Sequence, residues 1–382
     1  MMPSRSATPD ALRAAVEPVP AVAAEAAAWD ALACGAAAPH PFYTRAVIEA
    51  HRAHGLCPPR LSAVVVREGG APVALLPFLL RPDIAGLGAS LARPFLSPYV
   101  TESAPLVAGG PGFEARLDAL VEGLARASGG RPWRWPLLAS GGRVGAGLLA
   151  AMGRAGWQVG VVDSFERPVL DRRADYDAFL AGHPHRSRLK DLRRRRRRLE
   201  ESGVLDLETA TEGAALERAL DTFLALEAAG WKGAAGTALL CQPQTERFAR
   251  ALFRSEGGAV AVRADLLRLD GRAVAASLAL VCGGTAHLLK TAYDETLRAQ
   301  APGLVLEDAI VQAFHGEAFA GRLDSATMPG SALESLYPER EKIAEIIAVP
   351  PGIGLISLER RLRLARFEHR ARAEAKRLLR RG

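Results

Sequence analysis

Apolar and polar positions along the chain fall into two successive runs of mixed helix and strand patterns. In the first run, Leu61 to Arg67 and Val73 to Leu80 flank the turn Glu68-Gly69-Gly70 and predict a β-hairpin. Ahead of it, alanine-rich residues Ala11 to Ala38, broken by prolines, predict short helices, and Pro41 to His54 has helical spacing. Behind it come a helix over Phe113 to Ser128, a strand around Trp133 to Leu138, a helix over Val144 to Ala155, and strands over Trp157 to Val162 and Arg167 to Leu170. Charged and polar residues displace the apolar runs between Asp171 and His185, which marks the boundary between the runs.

The second run opens on a basic helix in which Leu189, Leu192 and Leu199 supply a thin apolar stripe. It continues as a strand (Val204 to Ala210), a helix (Ala214 to Ala229), a glycine-bearing loop from Gly230 to Thr237, and a helix (Thr245 to Ser255). Three strands follow, Ala261 to Leu269, Val274 to Val281 and Ala286 to Tyr293, joined at Asp270-Gly271 and Gly283-Gly284, paired turn residues that favour tight hairpins. After Gln300-Ala301-Pro302-Gly303 come a helix (Leu304 to Phe319), a strand (Leu323 to Thr327), a short helix (Ala332 to Arg340) and a last strand (Ile343 to Val349). Helices alternating with mainly hairpin-linked strands predict an α/β (α+β) fold.

Composition changes this picture little, whereas charge changes it more. At 382 residues, 49% hydrophobic and 24% charged, the chain has the length and balance for two packed cores. Arg193 to Arg198 contribute +6 and Glu359 to Arg381 contribute +7, against +7 for the whole chain, so everything else nets −6. Basicity is therefore confined to two segments. Scattered Cys34, Cys57, Cys241 and Cys282 lack metal or redox spacing and fit a reducing compartment. No apolar run approaches the ~20 residues of a membrane span, and no secretory signal is evident, so the expectation is a soluble, cytoplasmic protein.

The ordered set Trp231-Lys232-Gly233 with Gly236-Thr237, Lys290-Thr291-Ala292-Tyr293-Asp294-Glu295, Pro302-Gly303-Leu304 and Asp324 resembles the GNAT acyltransferases, in particular the FemAB-like and CelD-like branch with two GNAT units per chain. The resemblance is firmest from His185 to Pro350. It implies two tandem GNAT-like domains, each a mixed, mostly antiparallel sheet flanked by helices. The boundaries are a degenerate unit over 1–175, an acyltransferase unit over 176–355, and a basic C-terminal helix over 356–382. Gln300-x-x-Gly303-x-Val305 parallels the family turn that receives the pyrophosphate of coenzyme A on main-chain amides at a helix N-terminus. Val305 stands where the family often has Gly or Ala, and Pro302 removes one donor.

On this resemblance Thr291, Ala292, Gln300, Gly303, Leu304 and Val305 bind the donor, acetyl-CoA or another acyl-CoA, and no metal takes part. Acyl transfer to an amine needs a neutral nucleophile, a polarised carbonyl and a protonated leaving thiolate. Asp324 is the expected base, Tyr337 the acid with Tyr293 as its alternative, and Trp231, Lys232, Lys290 and Asp294 face the acceptor. By strict alternation Lys290 shares a face with Leu288 and Ala292. A structural role remains open for each of these residues. The arginine run Arg193, Arg194, Arg195, Arg196, Arg197 and Arg198 either is a solvated helix face or meets an anionic partner, tRNA or a membrane surface.

The function expected is N-acylation of a small-molecule amine or amino sugar, set by the resemblance in exopolysaccharide or envelope biosynthesis. The alternatives are a FemAB-like aminoacyl-tRNA-dependent transferase and a non-catalytic scaffold or membrane-surface binding protein.

Overall fold

The computed structural model describes residues 11–254, 258–352 and 356–379. Ser255, where the pattern ends one helix, and Arg381, where the basic tail ends, lie outside the described residues. The strands are β1 (Arg13–Pro18), β2 (Ser62–Glu68), β3 (Ala71–Pro82), β4 (Ser90–Pro94), β5 (Leu106–Val107), β6 (Trp133–Ala139), β7 (Gln158–Asp171), β8 (Leu205–Ala210), β9 (Ala261–Leu269), β10 (Arg272–Cys282), β11 (Thr285–Tyr293), β12 (Arg322–Asp324) and β13 (Glu339–Val349). They form one mixed sheet in the order β1-β2-β3-β4-β6-β13-β7-β12-β11-β10-β9-β8, with β5 beside β3. All pairs are antiparallel except β4 with β6 and β11 with β12.

Tight turns build the second half as the pattern predicts. Asp270 and Gly271 (φ 49° and 77°) join β9 to β10, and Gly283 and Gly284 (φ 54° and 79°) join β10 to β11, the paired positive φ that matches a hairpin's twist. Three expectations are corrected. Residues 13–18 of the alanine-rich opening form a strand, because they pair with β2. Residues 158–171 form one long strand rather than two, held by β13 from Gln158 to Val169 and by β12 at its end. The helix expected over Ala332 to Arg340 is a single turn, Ala332–Ser335, since β13 already claims Glu339 and Arg340.

Helices cover both faces. Phe113–Ala127 and Arg143–Arg154 pack over the first half around Trp133, Trp135 and Leu148. Helices Gly213–Ala229 and Pro243–Leu252 close one face of the second half through Phe223, Leu224 and Phe248. Helices Tyr176–Gly182, Arg186–Glu200 and Pro302–Glu317 close the other through Phe179, Leu192, Ile310 and Phe314. Among the described residues no helix is long and apolar enough to cross a membrane. The basic helix Leu358–Leu379 docks on the protein itself. Its Leu358, Leu362 and Ala365 pack on Val162, Ile347 and Val349, and its Glu368 pairs at 2.5 Å with buried Arg134, which also meets Glu345 and Asp83.

Candidate functional site

The site begins where two parallel strands part. β11 and β12 pair only over Thr285–His287 and Arg322–Asp324. Beyond that point β11 keeps β10 on one side, and its other edge, from Leu288 to Tyr293, carries unpaired peptide groups. A bulge sits at the same place: Leu278 faces Lys290 while Ala279 faces Leu288, so Leu289 has no partner across the ladder. The extra residue reverses side-chain direction. Leu288 points into the core beneath helix Pro302–Glu317, whereas Ala292 packs with the opposite core beside Phe223, and Lys290 reaches Glu227 there. The expected common face for Leu288 and Lys290 is thus broken by the bulge, while Lys290 and Ala292 do share one.

The gap between the parted strands opens a cavity of about 490 Å³. Lys290, Thr291 and Tyr293 line one wall; Ser325, Ala326 and Thr327 line the other; and Gly303, Leu304 and Glu307 of helix Pro302–Glu317 form its end, with Arg298 at the approach. Ala301 caps this helix in the left-handed conformation (φ 50°), which aims the first turn at the β11 edge. Pro302 has no N–H, and Leu304 and Val305 donate to the Ala301 carbonyl at 3.0 and 3.2 Å, so the Gly303 amide is the donor left over in that turn. A side chain at Gly303 would meet the Tyr293 ring, since a Cβ built there lies 3.3 Å from it. The lack of a side chain keeps that amide within reach of a ligand.

Not every expected donor residue reaches this cavity. Val305 is fully buried under the helix, Ala292 faces the core on the far side of the sheet, and Gln300 ends the turn Glu295–Gln300 outside the cavity lining. Asp294 spends its carboxylate on the Thr296 amide and hydroxyl and on Arg272 at 2.6 Å, contacts that hold it below the usual carboxylate range.

Glu307 is the residue the sequence reading missed. It lies one helical turn beyond Gly303, lines the cavity and is 2% exposed. Burial raises its carboxyl to about 7, against the lowering effect of a hydrogen bond donated by the Tyr337 hydroxyl. Tyr337 is itself fully buried and donates its hydroxyl to Glu307, so it stands behind the cavity wall rather than in it. The signal in the sequence was present: Glu307 and Asp308 interrupt a helix otherwise apolar from Leu304 to Val311, and two acids survive such burial only with partners. Asp308 has one in the Tyr176 hydroxyl at 2.8 Å.

Asp324 belongs to a different group. Burial would raise its carboxyl, but Arg167 at 3.6 Å and His287 at 3.5 Å outweigh that and hold it well below the usual carboxylate range. It is a fixed anion at the closed end of the gap, beside Glu102 and Glu341, and is poorly suited to take a proton near neutrality. On the outer face Lys232 pairs with Glu227 at 2.8 Å, and Lys290 lies 3.9 Å from the same carboxylate with its ammonium 5.2 Å from the Tyr99 ring of the first half. Burial lowers the Lys290 pKa, Lys232 lowers it further, and Glu227 opposes both. Trp231 is 60% exposed and donates its backbone N–H to Glu295.

Much of the arginine run is paired within its own helix. Arg194 and Arg195 bond Asp191 at 2.6 and 2.7 Å, Arg196 bonds Glu200 at 2.9 Å, and Arg197 lies 3.6 Å from Glu201. Arg195 also donates to the Ala299 carbonyl at 2.9 Å, which fastens the helix to the loop that leads into Ala301. Arg193 and Arg198 are exposed.

Residues 186–325 match the family model described as an acetyltransferase (GNAT) domain. Among solved structures, FemX is similar at a TM-score of 0.53 and 11% identity over 84% of this chain and 94% of that one. A conserved protein of unknown function from Bacteroides thetaiotaomicron VPI-5482 is similar at 0.52 and 12% over 86% of this chain and 97% of that one. A tandem GNAT protein from the clavulanic acid biosynthesis pathway aligns over 90% of this chain and 100% of that one, at a TM-score of 0.43 and 17% identity. No curated protein matches the chain. Parted strands over a helix N-terminus, in a segment that matches this domain, define an acyltransferase of the GNAT type. The family-matched domain lies in the second half, and over most of its length the chain shares its fold with FemX.

Proposed function

We propose that this protein transfers an acyl group, acetyl in the simplest case, from acyl-CoA to the amine of a small molecule or amino sugar. The observation that carries this reading is the unpaired β11 edge from Leu288 to Tyr293, lying across a cavity from the free Gly303 amide. A strand edge of this kind can hydrogen-bond a pantetheine arm, and the amide at the positive end of a helix can meet a phosphate oxygen. With a single free amide in the first turn, the helix makes a thinner phosphate cradle than a glycine-rich one, and Arg298 at the approach adds charge where the turn lacks donors.

In this scheme the amine nitrogen attacks the thioester carbonyl, its proton passes to Glu307, the C–S bond breaks, and the thiolate takes a proton from Tyr293. Glu307 replaces Asp324 as the base, because a carboxyl raised to about 7 can accept a proton at neutral pH whereas an ion-paired aspartate holds none. Tyr337 positions Glu307. The acceptor enters from the first-half side, past Tyr99, Lys290 and Glu227. A cytoplasmic setting and a place in exopolysaccharide or envelope assembly belong to the same reading.

The second reading keeps the fold and takes aminoacyl-tRNA as donor, favoured by the exposed Arg193, Arg194, Arg197 and Arg198 beside the loop into the cavity. Binding of acetyl-CoA, free CoA and aminoacyl-tRNA is measured side by side by calorimetry, followed by thiol release with amine panels. Acetyl-CoA binding with amine-dependent thiol release supports the first reading. Salt-sensitive tRNA binding that falls with Arg193→Glu and Arg198→Glu transfers support to the second. Binding of neither donor leaves a scaffold.

A further inference from the structure

A concentration of buried charge outside the donor cavity lies where the two halves meet. Glu102 comes from the loop after β4, Asp324 ends β12, and Glu341 sits on β13; one carboxylate oxygen of each lies within 4.8 Å of the others. The ladder explains the convergence. Asp324 pairs with Val169 and Glu341 with Arg167, two β7 residues on one face, and His287 of β11 pairs with Asp324.

An independent observation points to a ligand in this group. His287 is 2% exposed, and neither of its ring nitrogens has a hydrogen-bond partner, although Nδ1 is directed at the cluster, 3.5 Å from Asp324 Oδ2. Buried imidazoles are normally satisfied at one nitrogen at least. Arg167 does not use up the carboxylates: its Nη2 donates to the Thr101 carbonyl at 2.5 Å, its Nη1 stops 3.6 Å from Asp324, and Nε has no partner. Three carboxylates therefore share one buried guanidinium, with Arg322, 3.4 Å from Asp171, as a more distant cation.

We propose that this seam binds one divalent cation, ligated by Glu102, Asp324 and Glu341, with His287 Nδ1 beside Asp324 at the edge of the set. Oxygen ligands at ~2.3–2.6 Å on opposite sides of an ion stand ~4.6–5.2 Å apart, so oxygens within 4.8 Å of one another leave room for one between them. Carboxylate oxygens suit a hard ion, and Mn²⁺ is a probe that reads such a donor set. The ion offsets the charge of the clustered carboxylates and ties the first half, through Glu102, to strands β12 and β13.

The test uses the full chain after chelator treatment, titrated with Mn²⁺ alone by calorimetry and by electron paramagnetic resonance, with Tm recorded alongside. One Mn²⁺ per chain and a raised Tm are expected. Glu341→Gln, on a partly exposed side chain, and Glu102→Gln are each expected to weaken Mn²⁺ binding at least tenfold while circular dichroism stays native. If Glu102→Gln fails to fold, Glu341→Gln carries the comparison. Absence of a stoichiometric Mn²⁺ site in the wild-type chain overturns the proposal, as does Mn²⁺ affinity unchanged by Glu341→Gln. Neither readout involves donor binding, so the result is independent of the acyltransferase reading.

Discussion

Replacing Glu307 by Gln separates the role of this carboxyl in catalysis from its cost to the fold. The wild-type group titrates near 7 in the folded chain against an ordinary value of 4.5, a difference equivalent to ~3 kcal/mol between the two protonation states. Below pH 4.5 the folded and unfolded chains both hold the proton, and nothing is lost. Between 4.5 and 7 only the unfolded chain releases it, so stability falls with rising pH; above 7 the folded chain ionises too and the loss is complete. Glutamine stays neutral throughout and keeps an oxygen to accept the Tyr337 hydroxyl. Urea titrations are therefore expected to give equal stabilities at pH 4 and an advantage for Glu307→Gln of ~3 kcal/mol at pH 8.5. In the same variant, thiol release from acetyl-CoA with saturating amine is expected to fall ~10²–10⁴-fold, and the wild-type rise in rate through pH 7 to disappear. A variant no more stable than wild type at pH 8.5 refutes the burial argument. One that keeps wild-type rate and pH profile refutes the assignment of the base.

Gly303→Trp places a ring against Tyr293 and is expected to abolish acetyl-CoA binding by calorimetry without a change in circular dichroism; undiminished binding removes the helix N-terminus from the donor site. Arg167→Met strands buried Asp324 and is expected to destabilise the chain by ~3–5 kcal/mol in urea titration, with Asp324→Asn in the same background recovering part of the loss. Glu227→Gln removes the anion shared by Lys232 and Lys290. Acylation of Lys290 by acetic anhydride at pH 8, followed by mass spectrometry, is expected to become faster, because Glu227 is what holds its pKa up.

The second half was legible in the sequence because its signals are local. Hairpin turns at Asp270-Gly271 and Gly283-Gly284, the basic helix with its three-leucine stripe, and the helix after Pro302 each declare themselves within a few residues. Gly303 and the β11 edge were found for the same reason. What escaped depends on pairing between distant segments. The Leu289 bulge is a mismatch of counts between two strands, invisible in either strand alone, yet it decides which core Lys290 faces. Asp324 and Tyr337 look like free acid and base groups in one dimension. In three dimensions Arg167 stands beside the one and Glu307 accepts from the other. The seam of Glu102, His287, Asp324 and Glu341 draws on four separate segments and leaves no spacing to read. Glu307 is the exception, since a pair of acids inside an apolar helix is visible without coordinates.

The insertion of β13 between β6 and β7 has a consequence for biosynthesis. The amino-terminal layers cannot complete their ladder until Val349 has left the ribosome, because the strand that bridges Trp133–Ala139 to Gln158–Asp171 is made long after both. Such sequence-distant pairing is slow to form and leaves strand edges bare during synthesis. A nascent chain arrested before Glu339 therefore carries two unmated edges and is a natural client for chaperones, whereas synthesis of β13 pairs both.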